Sequence, residues 1–364
     1  MSLLQIDPAR YEAQLADKLA LFKTQFAPFG LPEPSVFRSA PQHYRLRVEF
    51  RIWHSGDDLH YAMFDPAMPN QPVLMDSFPA AAEAISTLMP VLRDALKVDP
   101  ELRRKLFQIN FLASLSGQML VTLIYHRKLE DAWEAAAREL AARLNIKLIG
   151  RSLKQKIVLE TDWLEEELSV GERRLRYQHI EGSFTQPNAG VNQHMLGWAC
   201  TQAANIGGDL LELYCGNGNF TVALAPHFGR VLATEMSKPS VKAAHYNLEA
   251  NGIDNVTMVR MASDEISDAL ARVRPFKRLK DIDLDSYRFS TLFLDPPRSG
   301  LDAPTIELAR GFQNILYISC NPQTLCDNVA ALADTHEIRA SAVFDQFPYT
   351  HHLECGVLLQ RKAP

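Results

Sequence analysis

"LLELYCGNGNFTVALA", residues 210–225, is an apolar run that breaks on Cys215-Gly216-Asn217-Gly218 and resumes at helical spacing. A buried strand that feeds a glycine turn and then a helix opens a parallel sheet, because the crossover must carry the chain back beside the first strand. The alternation continues with strand "RVLATE" (230–235), helix "KPSVKAAHYNLEANG" (238–252) and strand "NVTMVRM" (255–261). An acidic turn with Asp264 and Glu265 follows, then strands "FSTLFLD" (289–295) and "NILYISC" (314–320). This order predicts an α/β domain over 181–364 with a Rossmann-like, doubly wound, mostly parallel sheet. The tail "SAVFDQFPYTHHLECGVLLQRK" (341–362) predicts an antiparallel hairpin at the sheet edge.

The first half obeys a different rule. Residues 8–26, "PARYEAQLADKLALFKTQF", put Tyr11, Leu15, Leu19, Phe22 and Phe26 on one helical face. "HYRLRVEFRIWH" (43–54) then alternates strictly, with Tyr44, Leu46, Val48, Phe50 and Ile52 on one side and Arg45, Arg47, Glu49, Arg51 and Trp53 on the other. That polar side is either the solvated face of an antiparallel sheet or a platform for RNA, with arginines for phosphates and an indole for a base. Further strand-like runs, a helix near 129–144 and a basic turn, "GERRLRYQHIEGSF" (171–184), complete an α+β domain with an antiparallel sheet over 1–180.

Composition excludes several classes. No apolar run reaches the ~20 residues needed to cross a bilayer, and the start lacks a basic segment leading into an apolar one, so a cytoplasmic protein without membrane attachment is expected. The five cysteines (Cys200, Cys215, Cys320, Cys326, Cys355) show no CxxC spacing, which argues against a disulfide framework, a metal or an iron–sulfur cluster. The first 180 residues are charge-balanced and the remainder carries the whole net charge of −5, so nucleic acid would have to be held by local basic faces.

The motifs gather at the carboxyl ends of the predicted strands, where open α/β sheets bind ligands. Gly216 and Gly218 let a ligand approach the backbone. Glu235 ends the next strand, where an acid can accept hydrogen bonds from both hydroxyls of a ribose, or else cap the following helix. Two glycines rather than three, with no diphosphate-binding Lys-Ser/Thr, favour S-adenosylmethionine over a dinucleotide or ATP. Asp295-Pro296-Pro297-Arg298 ends another strand, and the prolines fix that carboxylate rigidly. An Asp-Pro-Pro turn there suits methyl transfer to a base, and Arg298 either holds RNA phosphate or forms a salt bridge.

Cys320 closes the strand "ILYIS", just before Asn321 and Pro322, a good N-cap and first helical residue. A cysteine at a strand end is ordinarily a small buried hydrophobe, but a helix N-terminus stabilises thiolate and lowers the thiol pKa. Thiolate beside a methyl donor fits one chemistry well. Carbon 5 of a pyrimidine attacks a sulfonium methyl only after a nucleophile adds to carbon 6, and a base must then remove the carbon-5 proton. "FPYTHHLECGVLL" offers His351, His352 and Glu354 for that task, with strand alternation placing His352 and Glu354 on one face. A buried ion pair with an arginine is the competing account of Glu354.

Together "FTQPN" (184–188), "LELYCGNGNF" (211–220), "DPPRSGL" (295–301), "ISCNP" (318–322) and "FPYTHHLECGVLL" (347–359) resemble the S-adenosylmethionine-dependent RNA uracil-C5 methyltransferases. They are most similar to the bacterial tRNA (uracil-5-)-methyltransferases that make ribothymidine at position 54 of the T-loop. The resemblance extends over essentially the whole chain, including "FRSAPQHYRLRVEFRIWH" and "KLFQI" in the first half. It implies Cys320 as nucleophile, Glu354 as proton acceptor, and Gln186, Tyr214, Asn219, Glu235 and Asp295 as cofactor-binding positions, with Asp295 also orienting the uracil. Family members that act on ribosomal RNA carry an N-terminal cysteine quartet, and no cysteine precedes Cys200 here, which points to the tRNA branch. The expected partner is the tRNA T-arm, with T-like loops of other RNAs as further substrates, and a monomer is expected. Three other readings stay open: an RNA-folding factor whose methyl transfer is secondary, a 23S ribosomal RNA enzyme, or methylation of an exocyclic amine.

Overall fold

The computed structural model describes residues 6–65 and 68–363. Its chain divides into two units, neither contiguous in sequence. One comprises residues 40–167 and 179–189 with the N-terminal residues up to Pro8, and the other comprises 9–39, 168–178 and 190–364. A division at 180/181 therefore misplaces the first helix. Helix α1 (Tyr11–Phe26) and strand β1 (Ser35–Phe37) belong to the second unit, and residues 181–189 to the first. The reason is burial. Phe22 and Phe26 are 1% and 0% exposed inside the second unit's core, and burying each side chain contributes roughly 1.5–3 kcal/mol.

In the first unit a seven-stranded sheet runs in the order β4-β3-β2-β5-β6-β7-β8. Its strands are β2 (Arg47–Ser55), β3 (Asp58–Asp65), β4 (Met68–Met75), β5 (Leu106–Ala113), β6 (Met119–Tyr125), β7 (Lys147–Ser152) and β8 (Gln155–Val158). Helices α2 (Glu83–Val98), α3 (Pro100–Arg103) and α4 (Asp131–Leu144) accompany it. The neighbours are antiparallel as expected except β6 and β7, which α4 joins as a parallel crossover. The basic stretch read as a turn is strand β10 (Arg173–Ile180), paired with β9 (Trp163–Val170).

The second unit carries α5 (Ala189–Ala203), β11 (Asp209–Leu213), α6 (Asn219–Leu224), β12 (Val231–Thr234), α7 (Lys238–Ala250) and β13 (Val256–Val259). It continues with α8 (Ser263–Leu270), β14 (Phe289–Leu294), α9 (Ala303–Arg310), β15 (Asn314–Ser319), α10 (Pro322–Leu332), β16 (His336–Phe344) and β17 (Glu354–Arg361). Asp264 and Glu265 thus lie in the first turn of a helix, not in a turn, where acids meet the positive end of the helix dipole. The sheet order is β1-β16-β17-β15-β14-β11-β12-β13, parallel except for β17, which is antiparallel to both of its neighbours. The tail hairpin is not the edge it was expected to form, because β1 adds a parallel strand outside β16. Gly356 explains how β17 fits inside: a Cβ there would lie 2.7 Å from the Trp198 ring and 2.9 Å from Ile318.

Candidate active site

Strand direction assembles the site. The chain order reverses between β11 and β14, and the carboxyl ends of β11, β12, β14 and β15 share one edge of the second unit's sheet. Tyr214, Glu235, Asp295 and Cys320 are the residues that immediately follow or nearly follow those four strands. Because β17 runs the other way, its first residue, Glu354, starts from that edge. Ser319 pairs with Cys355, so the register carried one residue further sets Cys320 against Glu354.

The cofactor-binding candidates divide between the units. Tyr214, Gly216 and Gly218 all have left-handed backbone, with φ of 59°, 56° and 80°, which folds the loop after β11 tightly. A Cβ on Gly216 would meet nothing within 4 Å, so the space in front of the loop is open to a ligand. Glu235 spans the loop: Oε2 accepts from the Gly216 amide at 3.0 Å and Oε1 from Ser237 at 2.6 Å. Helix α7 is capped by Ser237, which accepts from Ser240 at 3.4 Å, so the cap that Glu235 was alternatively expected to supply comes from its neighbour. Each carboxylate oxygen of Glu235 keeps a lone pair for a ribose hydroxyl. The residues here therefore fit an adenosyl group. Asn219 exchanges two hydrogen bonds with Asn192, at 2.9 and 3.0 Å, and its carbonyl accepts from the Tyr177 hydroxyl, a structural engagement the sequence did not announce. Gln186 lies in the first unit, half-buried, apart from this group in the division of the chain.

Electrostatics at the edge run against one expectation. Burial, then Glu354 and Asp295, push the Cys320 thiol up to about 11, with Arg298 lowering it. Asn321 does cap α10, accepting from Gln323 at 3.1 Å, but one helix terminus is outweighed by desolvation and two acids. Glu354, 4% exposed, is raised to about 8 by burial and then by Asp295, with Arg298 again opposing. Asp295 itself is raised by burial to about 7. Since burial outweighs Arg298, Glu354 has the balance of a desolvated acid rather than of an ion pair. His351 and His352 sit in the turn before β17, not on the strand, and burial followed by Arg298 and His351 depresses His352 to about 4.

Two asparagines, Asn321, expected only as a helix cap, and Asn328, hold these pieces together. Asn321 Nδ2 donates to the Arg298 carbonyl at 3.0 Å, tying the cysteine turn to the Asp-Pro-Pro-Arg loop. Asn328 Oδ1 accepts from the Leu301 amide at 3.0 Å and from the Tyr317 hydroxyl at 2.8 Å, fixing the far end of that loop to α10 and β15. Glu212, mid-strand in β11, is a further buried carboxyl, raised to about 8 by burial with Asp295 adding to it. Among the described residues there is no group of three or more His, Cys, Asp or Glu placed to hold a metal, and no helix long and apolar enough to cross a membrane.

The family profile described as tRNA (Uracil-5-)-methyltransferase matches residues 10–362. The chain belongs to the tRNA (uracil-5-)-methyltransferase family. It is 68% identical over 363 residues to the tRNA/tmRNA (uracil-C(5))-methyltransferase of Azoarcus sp., covering 100% of both chains. To the protein of the same name from Aromatoleum aromaticum it is 67% identical, covering 100% of this chain and 99% of that one. Among solved structures, the Pyrococcus abyssi tRNA (uracil-54, C5)-methyltransferase in complex with S-adenosyl-L-homocysteine superposes with a TM-score of 0.74 at 18% identity, covering 96% of this chain and 83% of that one. That likeness carries the mixed α/β fold. Family membership carries the activity: an S-adenosylmethionine-dependent methylation of tRNA uracil at carbon 5.

The expected RNA face belongs to the first unit and is only partly as read. Arg45, half-buried, precedes β2, forms an isolated bridge with Ala81 and donates from Nε to the Arg47 carbonyl at 2.8 Å. Arg47 donates to the Ser183 carbonyl at 2.6 Å. The alternation holds from Tyr44 to Trp53, with Arg45 and Arg47 half-buried and Glu49, Arg51 and Trp53 exposed. Arg51 and Trp53 do point outward, Trp53 being 44% exposed. The Arg51 guanidinium lies 3.8 Å above the Phe107 ring, and Phe107 stacks on His126 at 3.9 Å, an extension from β5 and the end of β6 that no single segment reveals.

Proposed function

We propose that this enzyme methylates a flipped-out T-loop uridine, position 54 of tRNA, through a transient bond between Cys320 and carbon 6. The observation that supports the reading most is the antiparallel β15–β17 register, which pairs Ser319 with Cys355, the residues next to Cys320 and Glu354, with Asp295 close enough for its charge to act on both. S-adenosylmethionine, when bound, supplies an electrophilic methyl on a sulfonium. Glu235 and the backbone of Gly216 and Gly218, with Tyr214 and Asn219, would hold its adenosyl and amino-acid parts. Cys320 Sγ bonds to carbon 6, and the electron pair moved onto the ring makes carbon 5 the nucleophile that takes the methyl. Glu354 then accepts the carbon-5 proton, the carbon–sulfur bond breaks, and its electron pair returns to the cysteine. Asp295, held by its two prolines, orients the ring. Incubation with a T-arm RNA and S-adenosylmethionine is expected to yield 5-methyluridine in the nucleoside digest; an N-methylated base instead would overturn the reading.

The raised acids set a pH dependence. Removal of the carbon-5 proton needs Glu354 ionised, and attack needs the thiol deprotonated, so both requirements fail toward low pH. Since Glu354 is raised to about 8, kcat/KM is expected to climb as pH rises through 8. Arg298 lowers both groups. Arg298→Gln should therefore displace the rising limb to higher pH, with a rate loss at neutral pH of about tenfold per unit displaced. An unmoved limb with intact turnover would assign Arg298 elsewhere.

The first unit is the RNA-recognition part in this reading. The Arg51–Phe107–His126 stack and Trp53 offer cationic and aromatic surface for a folded-back loop, and the same surface accepts T-like loops of other RNAs. The tmRNA in the names of these relatives supports that breadth. Arg51→Glu is expected to weaken RNA binding by about 1–2 kcal/mol and to flatten its salt dependence, leaving turnover at saturating RNA nearly intact. Filter binding across a salt series reads both.

A further inference from the structure

Helix α1 buries more than its apolar stripe. Gln14 is 3% exposed, the Lys18 side chain 9% and that of Asp345, which both reach, 0%. Lys18 Nζ stands 2.7 Å from Asp345 Oδ1 and also donates to the Phe347 carbonyl at 2.9 Å. Gln14 Nε2 donates to Asp345 Oδ2 at 2.7 Å, while its Oε1 accepts from the Tyr349 amide at 3.3 Å. Tyr11 meets the Tyr349 ring edge-on with centroids 6.2 Å apart. All of these contacts, within the second unit, end on residues 345–353, the segment that joins β16 to β17 and delivers Glu354.

Stability alone is a poor account of this arrangement. A buried ion pair often gives no more net stability than apolar residues of the same volume, whereas a satisfied polar network fixes position. The segment needs such fixing. Tyr349, a buried non-glycine residue, has φ of 61°, a left-handed conformation that an L side chain holds only when its surroundings impose it. Below Tyr349 the turn is carried to β17 by Thr350, whose hydroxyl donates to the Phe347 carbonyl at 2.8 Å and accepts from His352 at 3.1 Å. Phe347 is thus bonded both to Lys18 and to the residue two before the turn's last histidine.

We propose that Gln14 and Lys18 are positioning residues for proton removal: by clamping residues 345–353 through Asp345, Phe347 and Tyr349, they fix the Glu354 carboxylate where it reaches carbon 5. The proposal rests on Glu354 being the base. It separates two halves of the reaction, since attack by Cys320 depends on β15 and α10, and only release of the adduct depends on the clamped segment.

The test uses the full-length protein with a T-arm RNA and S-adenosylmethionine, comparing Lys18→Met/Asp345→Asn, Gln14→Leu and Glu354→Gln with the unaltered chain. The double variant removes both charges, so neither is left buried alone, and Gln14→Leu, which keeps the ion pair, stands in if the double variant does not fold. The expected result is a loss of turnover of at least about tenfold in the clamp variants, together with accumulation of an RNA-linked protein band on a denaturing gel. A merely structural role would lower turnover along with melting temperature and leave the linked fraction unchanged. If Glu354→Gln accumulates adduct and the clamp variants do not, the clamp proposal is overturned alone. If Glu354→Gln accumulates none, the base assignment is overturned and the proposal with it.

Discussion

Cys320→Ala is expected to leave a folded protein that still binds T-arm RNA but releases no tritium from [5-³H]uridine, a loss on the order of 10⁴-fold or more in methylation. The residue is half-buried and follows β15, so removing one sulfur leaves the strand, the Asn321 cap and the Asn321–Arg298 tie in place. What is lost is the only route by which carbon 5 becomes nucleophilic in this scheme, because none of the neighbouring acids can add to carbon 6 and later leave as cysteine does. The thiol begins as a thiol, raised to about 11, so attack must be coupled to loss of its proton. Asp295, raised to about 7 and close enough for its charge to act on the thiol, is the neighbouring acid that takes up this proton, which leaves Glu354 free for the proton of carbon 5. A positively charged donor in the site favours their ionised forms and the thiolate alike. Tritium release by Cys320→Ala at more than a trace would end the covalent mechanism while leaving the fold and family assignment untouched.

The parts legible in the sequence were those encoded locally. Strand, glycine turn and helix at 210–225 required nothing beyond hydropathy period and the freedom of Gly216 and Gly218, and Asn321-Pro322 announced the start of α10. Parts written in long-range pairing were not legible. Nothing in residues 8–26 says which core an amphipathic helix will join, and nothing in residues 35–37 says that they add to β16. The thiol was expected to be acidic because Asn321 and α10 are adjacent in sequence. It is raised by burial first, and then because Glu354 and Asp295 arrive from two other strands. Arg45 keeps the alternation of the strand, but its half-burial ahead of Arg47, where pairing with β5 begins, is set by a bridge to Ala81, distant in sequence. His126, Gln14 and Lys18 carry no motif, "KLFQI" gives Phe107 no role of its own, and only the stacking and the buried contacts single these residues out.

Glu354→Gln carries the second large effect, and its sign is opposite on two readouts. Glutamine has nearly the shape of the buried glutamic acid and removes a desolvated acid, so β17 should pair with β15 and β16 as before and the protein should melt no lower. Attack by Cys320 and methyl transfer proceed, but the amide cannot accept the carbon-5 proton. The methylated ring therefore stays bonded to sulfur, turnover falls by about 10²–10⁴-fold, and most of the protein migrates as an RNA-linked band under denaturing conditions. Raising the pH should not rescue it, in contrast to the wild-type rate, which climbs through 8 as the acid ionises. The rival base is His352, depressed to about 4 and so neutral and able to accept a proton at physiological pH. It separates cleanly in the same assay: His352→Ala should turn over without a trapped band if Glu354 is the base. If His352→Ala traps the adduct while Glu354→Gln does not, the proton goes to the imidazole, and the carboxyl serves only to hold the thiol protonated at rest.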